Sequence, residues 1–558
     1  MCSIAPFIPS ASAILKSEWL RISNAPRDTA IALSYTRGMP RFFNTTGPCN
    51  PDRHYILPPE ARLVRAQLER YIGDELYWVL HAPRQSGKTT FLQSWMRTIN
   101  AQEQAVACYV SVETSQGITD EEKAIEGLCS AIRSFARDLL GQRFMPPIST
   151  EPASMMLSDT LHQWAALVAP KPLVVLFDEV DVLQDQAMIS FLRQLRSGFS
   201  KRGVGIFPIS IVLVGMRDLR DYLVHSKDGV ALRPGSPFNI KQNSATLSSF
   251  SEDDIRALAG QHTTETGQSF SDQALARVYA LTRGQPWLVN ALLQKCVWQL
   301  CPKGESVGIE HIEEARELLI EERAVHLDSL AERLRDPRVK HIVELILTGD
   351  SDPDLMRGDD FRFTLDMGLV TIDGGTPSIS NPIYREIIVR VLSEPYQLSI
   401  PSPEFRWKKE DGTLDLDALL REFQDFWSQH SEIWEAKADY TEAFPHLLLM
   451  AFLQRVVNGG GRIEREYAAG RGRVDLAVLY SGRWSIIEIK LVNRQGRERT
   501  VQQGLDQVIR YRDTVDRRAD AWLVVFDRTA AGRLKSWEER LYRQTVETPN
   551  GIVTVIGA

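Results

Sequence analysis

The 558-residue chain is 43% hydrophobic and 25% charged with a formal net charge of −7, a length that at roughly 100–200 residues per domain divides into about three to five domains. These are the proportions of a soluble globular protein. No apolar run approaches the ~18 residues of a membrane span, the N-terminus lacks the basic opening and long apolar core of a secretory signal, and the acidic balance excludes a chain that coats nucleic acid along its whole length. Six cysteines without a CxxC pair make neither a disulfide nor a zinc framework, so a reducing cytoplasm is the expected compartment.

The first informative element is LYWVLH, residues 76–81, a β-rich strand. It runs into Ala82, Pro83, Arg84, Gln85, Ser86, Gly87, Lys88 and Thr89, with Thr90 next. Set against GxxxxGK[ST], this is a phosphate-binding loop in which alanine replaces the first glycine. Such a loop needs inward-pointing N–H groups and a helix N-terminus beneath the phosphates. TTFLQSWMRTI supplies the helix, with Phe91, Leu92, Trp95 and Ile99 at helical spacing. Gly87 is kept where the backbone comes closest to phosphate. Lys88 would reach the β- and γ-phosphates of ATP, and the Thr89 hydroxyl would bind Mg²⁺. Ala82 is tolerable if its φ is negative. The plain alternative is a chance Gly-Lys-Thr after an apolar strand.

KPLVVLFDEVDVL, residues 171–183, reads as a buried strand ending in Asp178 and Glu179. Two adjacent carboxylates at a strand tip are costly without work to do. Asp178 would hold the Mg²⁺ and Glu179 would polarise the attacking water. The plain alternative is an acidic turn. A third strand, ISIVLVGM, ends at Arg217, which is placed either as a polar sensor beside the γ-phosphate or as a surface ion-pair partner.

FFNTTGPCNPDRHYILPPEARL, FDEVDVL, GMRDLRDYL, SPFNI and TRGQPWLVNAL together resemble the bacterial AAA-like ATPases, relatives of the archaeal-type and STAND ATPases, over roughly residues 39–400. That resemblance accommodates Ala82 and implies a helical lid over 248–325. Gly284-Gln285-Pro286 resembles the lid's GxP element, with Pro286 approaching the nucleotide; otherwise Pro286-Trp287 is a helix start with a core tryptophan. Residues 52–62, with Arg53, Tyr55 and Pro58, resemble the segment that covers adenine. Arg193, Arg196 and Arg202 offer an arginine finger in trans should the protein form a homo-oligomer, and a solvated helix face otherwise. Met39 stands as an alternative start, which leaves residues 1–38 as an N-terminal tail or an over-long reading of the gene.

Residues 326–396 read as helix, helix, short β-wing, helix, and resemble the winged-helix module that follows the lid in related ATPases. Such a module binds DNA or packs on the ATPase, and the acidic character of IVELILTGDSDPDLMRGDDFRF favours packing. Residues 397–415 read as a linker.

From Leu416 a long helical stretch precedes GGGRIEREYAAGRGRVDLAVLY, RWSIIEIKLV, GLDQVIRYRDTV and AWLVVFD: a helix, two strands in a hairpin, a helix, a strand. Residues 454–518 hold 14 Lys or Arg and 8 Asp or Glu, a local +6 that leaves −13 for the remainder. Asp475 precedes one strand. Glu488 and Lys490 alternate with Ile489 on the next and so share a face. Two carboxylates side by side are unfavourable without a cation, and a Mg²⁺ bridging them, with the lysine placing a water, suits phosphodiester cleavage. The spacing resembles the PD-(D/E)XK nucleases over about 434–530. That resemblance implies a metal site of Glu442, Asp475 and Glu488, with Glu466 as a second acidic candidate, Lys490 and Gln507 in catalysis, Tyr511 one turn on, and Mn²⁺ as an alternative to Mg²⁺. The plain alternative is a hairpin with surface Glu–Lys pairing.

The expected fold class is α/β: a P-loop NTPase parallel sheet (39–247) with helical lid (248–325) and winged helix (326–396), then an α/β restriction-endonuclease-like domain (416–558). The expected function is ATP binding and hydrolysis that gates or drives metal-dependent cleavage of nucleic acid, DNA being favoured by family analogy. The alternative is an ATP-switched sensor or scaffold, or a DNA-binding regulator, whose nuclease-like domain does not cut.

Overall fold

A computed structural model describes residues 41–63, 65–200, 206–216, 241–302, 304–322, 330, 332–348, 357–399, 409–435, 448–450, 452–453, 462–464, 476–492, 496–527 and 537–558. Arg202, Arg217, Glu442, Glu466, Asp475 and residues 1–38, on which expectations were placed, lie outside these.

The first half of the chain runs α1 (Arg65–Gly73), β1 (Tyr77–His81), α2 (Lys88–Ala101), β2 (Val106–Ser111), α3 (Glu121–Leu140), α4 (Ala153–Val168), β3 (Leu173–Asp178), α5 (Asp185–Phe199), β4 (Ser210–Gly215) and β5 (Lys241–Thr246). The strands form one sheet in the order β2-β3-β4-β1-β5, every pair parallel. A parallel sheet is covered on both faces, and β1 shows how. Tyr77 and Val79 join the core packed by α3, α4 and α5, while Trp78 and Leu80 join that of α1 and α2. The sheet order leaves β3, β4 and β1 adjacent, so the ends of β1 and β3, with the loops that follow them, converge on one edge.

Four helices follow: α6 (Glu252–Thr266), α7 (Asp272–Thr282), α8 (Pro286–Lys295) and α9 (Ile309–Glu321). The start of α6 is fixed by a capping box, in which Ser251 accepts from the Asp254 backbone and Asp254 accepts in return. Next come α10 (Pro337–Thr348), α11 (Asp359–Asp366), a hairpin of β6 (Val370–Asp373) and β7 (Thr376–Ile379), and α12 (Pro382–Ser399). The expected order of helix, helix, hairpin, helix is therefore present. It does not form a separate core: one apolar cluster runs from Phe43 and Tyr55 through α6–α9 to Ile388 and Leu392.

The C-terminal part contains α13 (Leu416–Glu435), β8 (Arg462–Glu464), β9 (Leu476–Tyr480), β10 (Arg483–Leu491), α14 (Arg497–Val515), β11 (Asp520–Phe526), α15 (Trp537–Arg540), β12 (Arg543–Thr548) and β13 (Gly551–Gly557). Its sheet runs β12-β13-β11-β10-β9-β8, with β10, β11 and β13 mutually parallel and the outer pairs antiparallel. The helix–strand–strand–helix–strand order is as expected, extended by β8 on one edge and a β12–β13 hairpin on the other. No helix among the described residues is long and apolar enough to cross a membrane.

Candidate functional site: a phosphate loop facing a buried carboxylate

The loop after β1 is pinned at both ends. Ala82 N–H donates to the Gly215 carbonyl of β4 at 3.3 Å, and Phe91 N–H donates back to Gly87. Ala82 is buried, and its φ is not positive, so its methyl group sits without strain where a glycine is usual. The left-handed conformation falls instead at Gln85 (φ 57°) and Gly87 (φ 90°). At Gly87 a side chain would be strained and would press on Arg62 Nη1, 3.2 Å from a Cβ there. Lys88 opens α2 and folds back over the loop, donating to the carbonyls of Ala82 (2.7 Å) and Pro83 (2.9 Å). Burial pushes its ammonium down to about 8, against the pull of Asp178, Asp181 and Glu179.

Opposite stands the tip of β3. Asp178 is fully buried, and its Oδ2 accepts from the Thr89 hydroxyl at 2.6 Å and from the Tyr109 hydroxyl at 3.3 Å. Burial raises its pKa, opposed first by the Thr89 bond and then by Lys88. Glu179 is in the left-handed region, φ 61°, a conformation that costs a non-glycine residue about 1–3 kcal/mol and persists where the surroundings impose it. Ser111 Oγ donates to its Oε2 at 2.8 Å, which the pairing of Ser111 with Asp178 across β2 and β3 makes possible. Burial raises the Glu179 pKa too, reinforced by the charges of Asp178, Glu113 and Asp181. Asp181, two residues on, is held near Lys88 and Arg84 and by the Met216 backbone. The sequence reading does not include it, although FDEVD displays it as a third acid after Asp178 and Glu179.

These residues fit a nucleotide with Mg²⁺. Ser86 Oγ is buried in the loop with no hydrogen-bond partner among the described residues. Lys88 is held by neutral carbonyls that a phosphate oxygen outcompetes. Thr89 and Asp178 together offer the hard oxygen donors that Mg²⁺ requires.

The lid side closes on the same loop. Gly284 (φ 74°) lies so near Phe250 that a Cβ would come within 1.8 Å of its carbonyl oxygen, and Phe250 N–H donates to Gly284. Gln285 caps α8 through Leu288 N–H and extends its amide towards the Gln85 carbonyl at 3.5 Å. Pro286 is buried as the first residue of α8, and Trp287 Nε1 donates to Thr45. Gln285, rather than Pro286, is therefore the lid side chain that reaches the loop. Tyr55 belongs to the apolar core and bonds His262 at 3.1 Å. The member of that preceding segment at the loop is Arg62. Its guanidinium donates to Ser86 at 2.6 Å and to Ser248 at the lid's entrance, and lies over the Phe250 ring. Nothing local in PPEARL marks that role. Arg193 and Arg196 are exposed on α5.

Residues 75–389, from the approach to β1 to near the end of the hairpin module, match the family model described as AAA-like domain. The chain belongs to the AAA-like domain family. A search of curated proteins returns no match. Among solved structures the chain is similar to a Walker-type ATPase of Pyrococcus abyssi, at 15% identity over 62% of this chain and 99% of that one, TM-score 0.44. It is similar to the Orc1 protein of Aeropyrum pernix in complex with DNA, at 16% identity over 62% and 94%, TM-score 0.34. It is also similar to the Holliday junction branch migration motor RuvB of Thermotoga maritima, at 12% identity over 61% and 96%, TM-score 0.32. The AAA-like domain is a P-loop ATPase domain, and ATP, usually with Mg²⁺, is the ligand that assignment implies.

Beyond the AAA-like domain, Glu488 and Lys490 come together. Lys490 Nζ lies 2.6 Å from Glu488 Oε1, with the carboxylate 1% exposed and the lysine side chain 21%. They share the face of Ile486, which packs with Leu505, Val508 and Ile509 of α14 and with Ala521 and Leu523 of β11. Gln507, on that covering helix, has its Oε1 buried without a partner among the described residues. Leu476 pairs with Ile487, the residue before Glu488. Among the described residues no group of three or more potential metal ligands forms; Glu442 and Asp475, two of the three expected carboxylates, lie outside them.

Proposed function

We propose that the AAA-like domain hydrolyses ATP and that this cycle gates phosphodiester cleavage of nucleic acid, DNA before RNA, by residues 416–558. The observation that carries the first half is the 2.6 Å bond between Thr89 and Asp178 beside Lys88. Thr89 and Asp178 would hold Mg²⁺, which when bound neutralises phosphate charge. Lys88 and the loop N–H groups bind and orient the phosphates. Glu179, held by Ser111, polarises the attacking water and receives its proton.

The observation that supports the second half is a carboxylate–lysine pair sunk beneath a helix. A buried charge pair usually contributes little to stability, so its presence favours a chemical use. Glu488 would bind the metal with Asp475 and Glu442, Lys490 would place a water, and Gln507 would orient either. Asp475 is joined by a peptide bond to Leu476, the partner of Ile487. The local +6 of residues 454–518 gives such a cleft the charge that phosphates need. The closure of Lys490 upon Glu488 also supports a second reading, an ATP-switched scaffold or winged-helix regulator whose C-terminal part binds without cutting.

The deciding experiment incubates the full chain with linear, circular and single-stranded DNA and with RNA. Mg²⁺ or Mn²⁺ is supplied, with and without ATP, beside Glu488→Ala and Lys88→Ala. Cleavage lost in Glu488→Ala, and responsive to ATP only when Lys88 is present, is the expected result. ATP turnover with no cleavage of any substrate would overturn the nuclease half and leave the switched scaffold.

A further inference from the structure

The segment between α9 and α10 sends one arginine towards the phosphate loop. Arg333 Nη1 donates to the Met367 carbonyl at 3.0 Å, in the turn after α11. Its Nη2 is buried with no hydrogen-bond partner among the described residues, and no described carboxylate pairs with it. The next residue of that turn, Gly368 (φ 74°), is seated directly on the loop: a Cβ there would lie 2.6 Å from Pro83 Cβ and Cγ. Pro83 in turn gives its carbonyl to Lys88, and Arg84 follows it. Arg333, Met367, Gly368, Pro83 and Lys88 thus form an unbroken line of contacts from the hairpin module to the phosphate-binding lysine.

The electrostatics of this line are unbalanced. Burial, and after it the nearby Arg84, disfavour the Arg333 charge. A buried cation facing further cations is costly unless an anion joins them. Arg84 lies near both Arg333 and Lys88, and a guanidinium presents paired donors suited to phosphate oxygens.

We propose that Arg333 is a phosphate-binding residue of the ATP site, delivered from outside the P-loop core by the hairpin module. The polyphosphate of a bound nucleotide is the anion that Arg333 and Arg84 share. Nucleotide therefore holds Arg333 and the turn at Met367 and Gly368 on the loop, and that contact in turn raises nucleotide affinity. The inference rests on the ATP reading of residues 82–90.

The test titrates a fluorescent ATP analogue, and its ADP counterpart, into the full chain. Arg333→Gln keeps a donor for the Met367 carbonyl and removes the charge; Arg333→Lys keeps the charge. Arg333→Gln should weaken binding about 10- to 100-fold. Arg333→Lys should recover most of that loss, and the salt dependence of affinity should be shallower in Arg333→Gln than in the parent. Gly368→Val, which forces a side chain against Pro83, should weaken binding in the same direction with every loop residue intact. Thermal melts of each variant establish folding. A folded Arg333→Gln that binds both analogues within about twofold of the parent would overturn the proposal. Lys88→Ala separates the two layers: if it too binds normally, the ATP reading has failed; if it alone loses binding, only the assignment of Arg333 has.

Discussion

The Thr89 hydroxyl donates to the Asp178 carboxylate across 2.6 Å, which joins the first turn after the phosphate loop to the tip of β3. Two side chains 89 positions apart in the chain thereby bring two oxygens together, the pair proposed to hold Mg²⁺. Asp178→Asn and Thr89→Ala should each lower Mg²⁺-dependent ATP turnover by about 10- to 100-fold. Raised Mg²⁺ concentration should partly rescue Thr89→Ala. A steady-state phosphate-release assay across Mg²⁺ concentrations measures this, and full activity in Asp178→Asn would remove Asp178 from the site.

Glu179 is held by Ser111 in a conformation that only the surrounding fold imposes. Glu179→Gln should retain ATP binding and lose about 10²–10⁴-fold in turnover. Because burial raises its pKa, the protonated, inactive form persists above the ordinary carboxylate range. Turnover of the parent should therefore fall on acidification sooner than a free glutamate would dictate. A pH–rate profile of the parent reads this directly.

Lys88 illustrates the opposite sign. Its pKa is pushed from 10.5 down to about 8 by burial. Below about 8 it is charged in folded and unfolded chains alike and pays its full desolvation; between there and 10.5 the unfolded chain binds the extra proton. The free protein should accordingly gain stability as pH rises through that window, and Lys88→Met should not show this gain. ATP affinity should run the other way, falling as pH climbs past about 8, since phosphate needs the ammonium. Thermal melts and nucleotide titrations at matched pH test both arms.

Glu488 and Lys490 form a pair that is cheap to keep and expensive to halve. Lys490→Ala leaves a carboxylate that is 1% exposed without its ion-pair partner, and should cost about 3 kcal/mol, at the lower end for buried pairs because the lysine is partly solvated. Glu488→Leu with Lys490→Met should restore most of that stability while cleavage stays absent. Chemical denaturation alongside a cleavage assay separates the two effects.

Gly284 has no room for a side chain and adopts φ 74°. Gly284→Ala should push Phe250 away, lower stability by about 2 kcal/mol or more, and loosen nucleotide binding through Gln285. Intact stability and binding in this variant would contradict the packing described.

The phosphate loop and the strand ending in Asp178 were legible because their signals are local: an apolar strand, a Gly-Lys-Thr turn, a second apolar strand closing in acid. The Glu488–Lys490 pairing was legible for the same reason, from the two-residue period of a strand. Arg62, Arg333 and Gln285 were not read as site residues in this way, because each acquires its role from a contact some 24, 34 or 200 positions away. β5 carries no local signal, because KQNSAT lacks an apolar alternation; among the described residues it pairs with β1 alone. The β12–β13 hairpin has a local signal in its turn residues, Pro549 and Asn550, which link the paired Thr548 and Gly551. Sequence patterning registers helices and turns but not which of them share an interior, as the lid helices and α10–α12 do.

That common interior has a mechanical consequence. Phe43 and Tyr55, which precede the loop, sit in the same apolar cluster as the lid helices and α10–α12. Close-packed interiors transmit displacement rather than absorb it. Gln285 and Gly368 are thus two rigidly linked probes resting on neighbouring loop residues, Gln85 and Pro83. A shift of the loop would thus press on the lid and on α10–α12 together, and Val389 of α12 shares a core with Leu419 and Phe423 of α13, which gives the displacement a packed route onward.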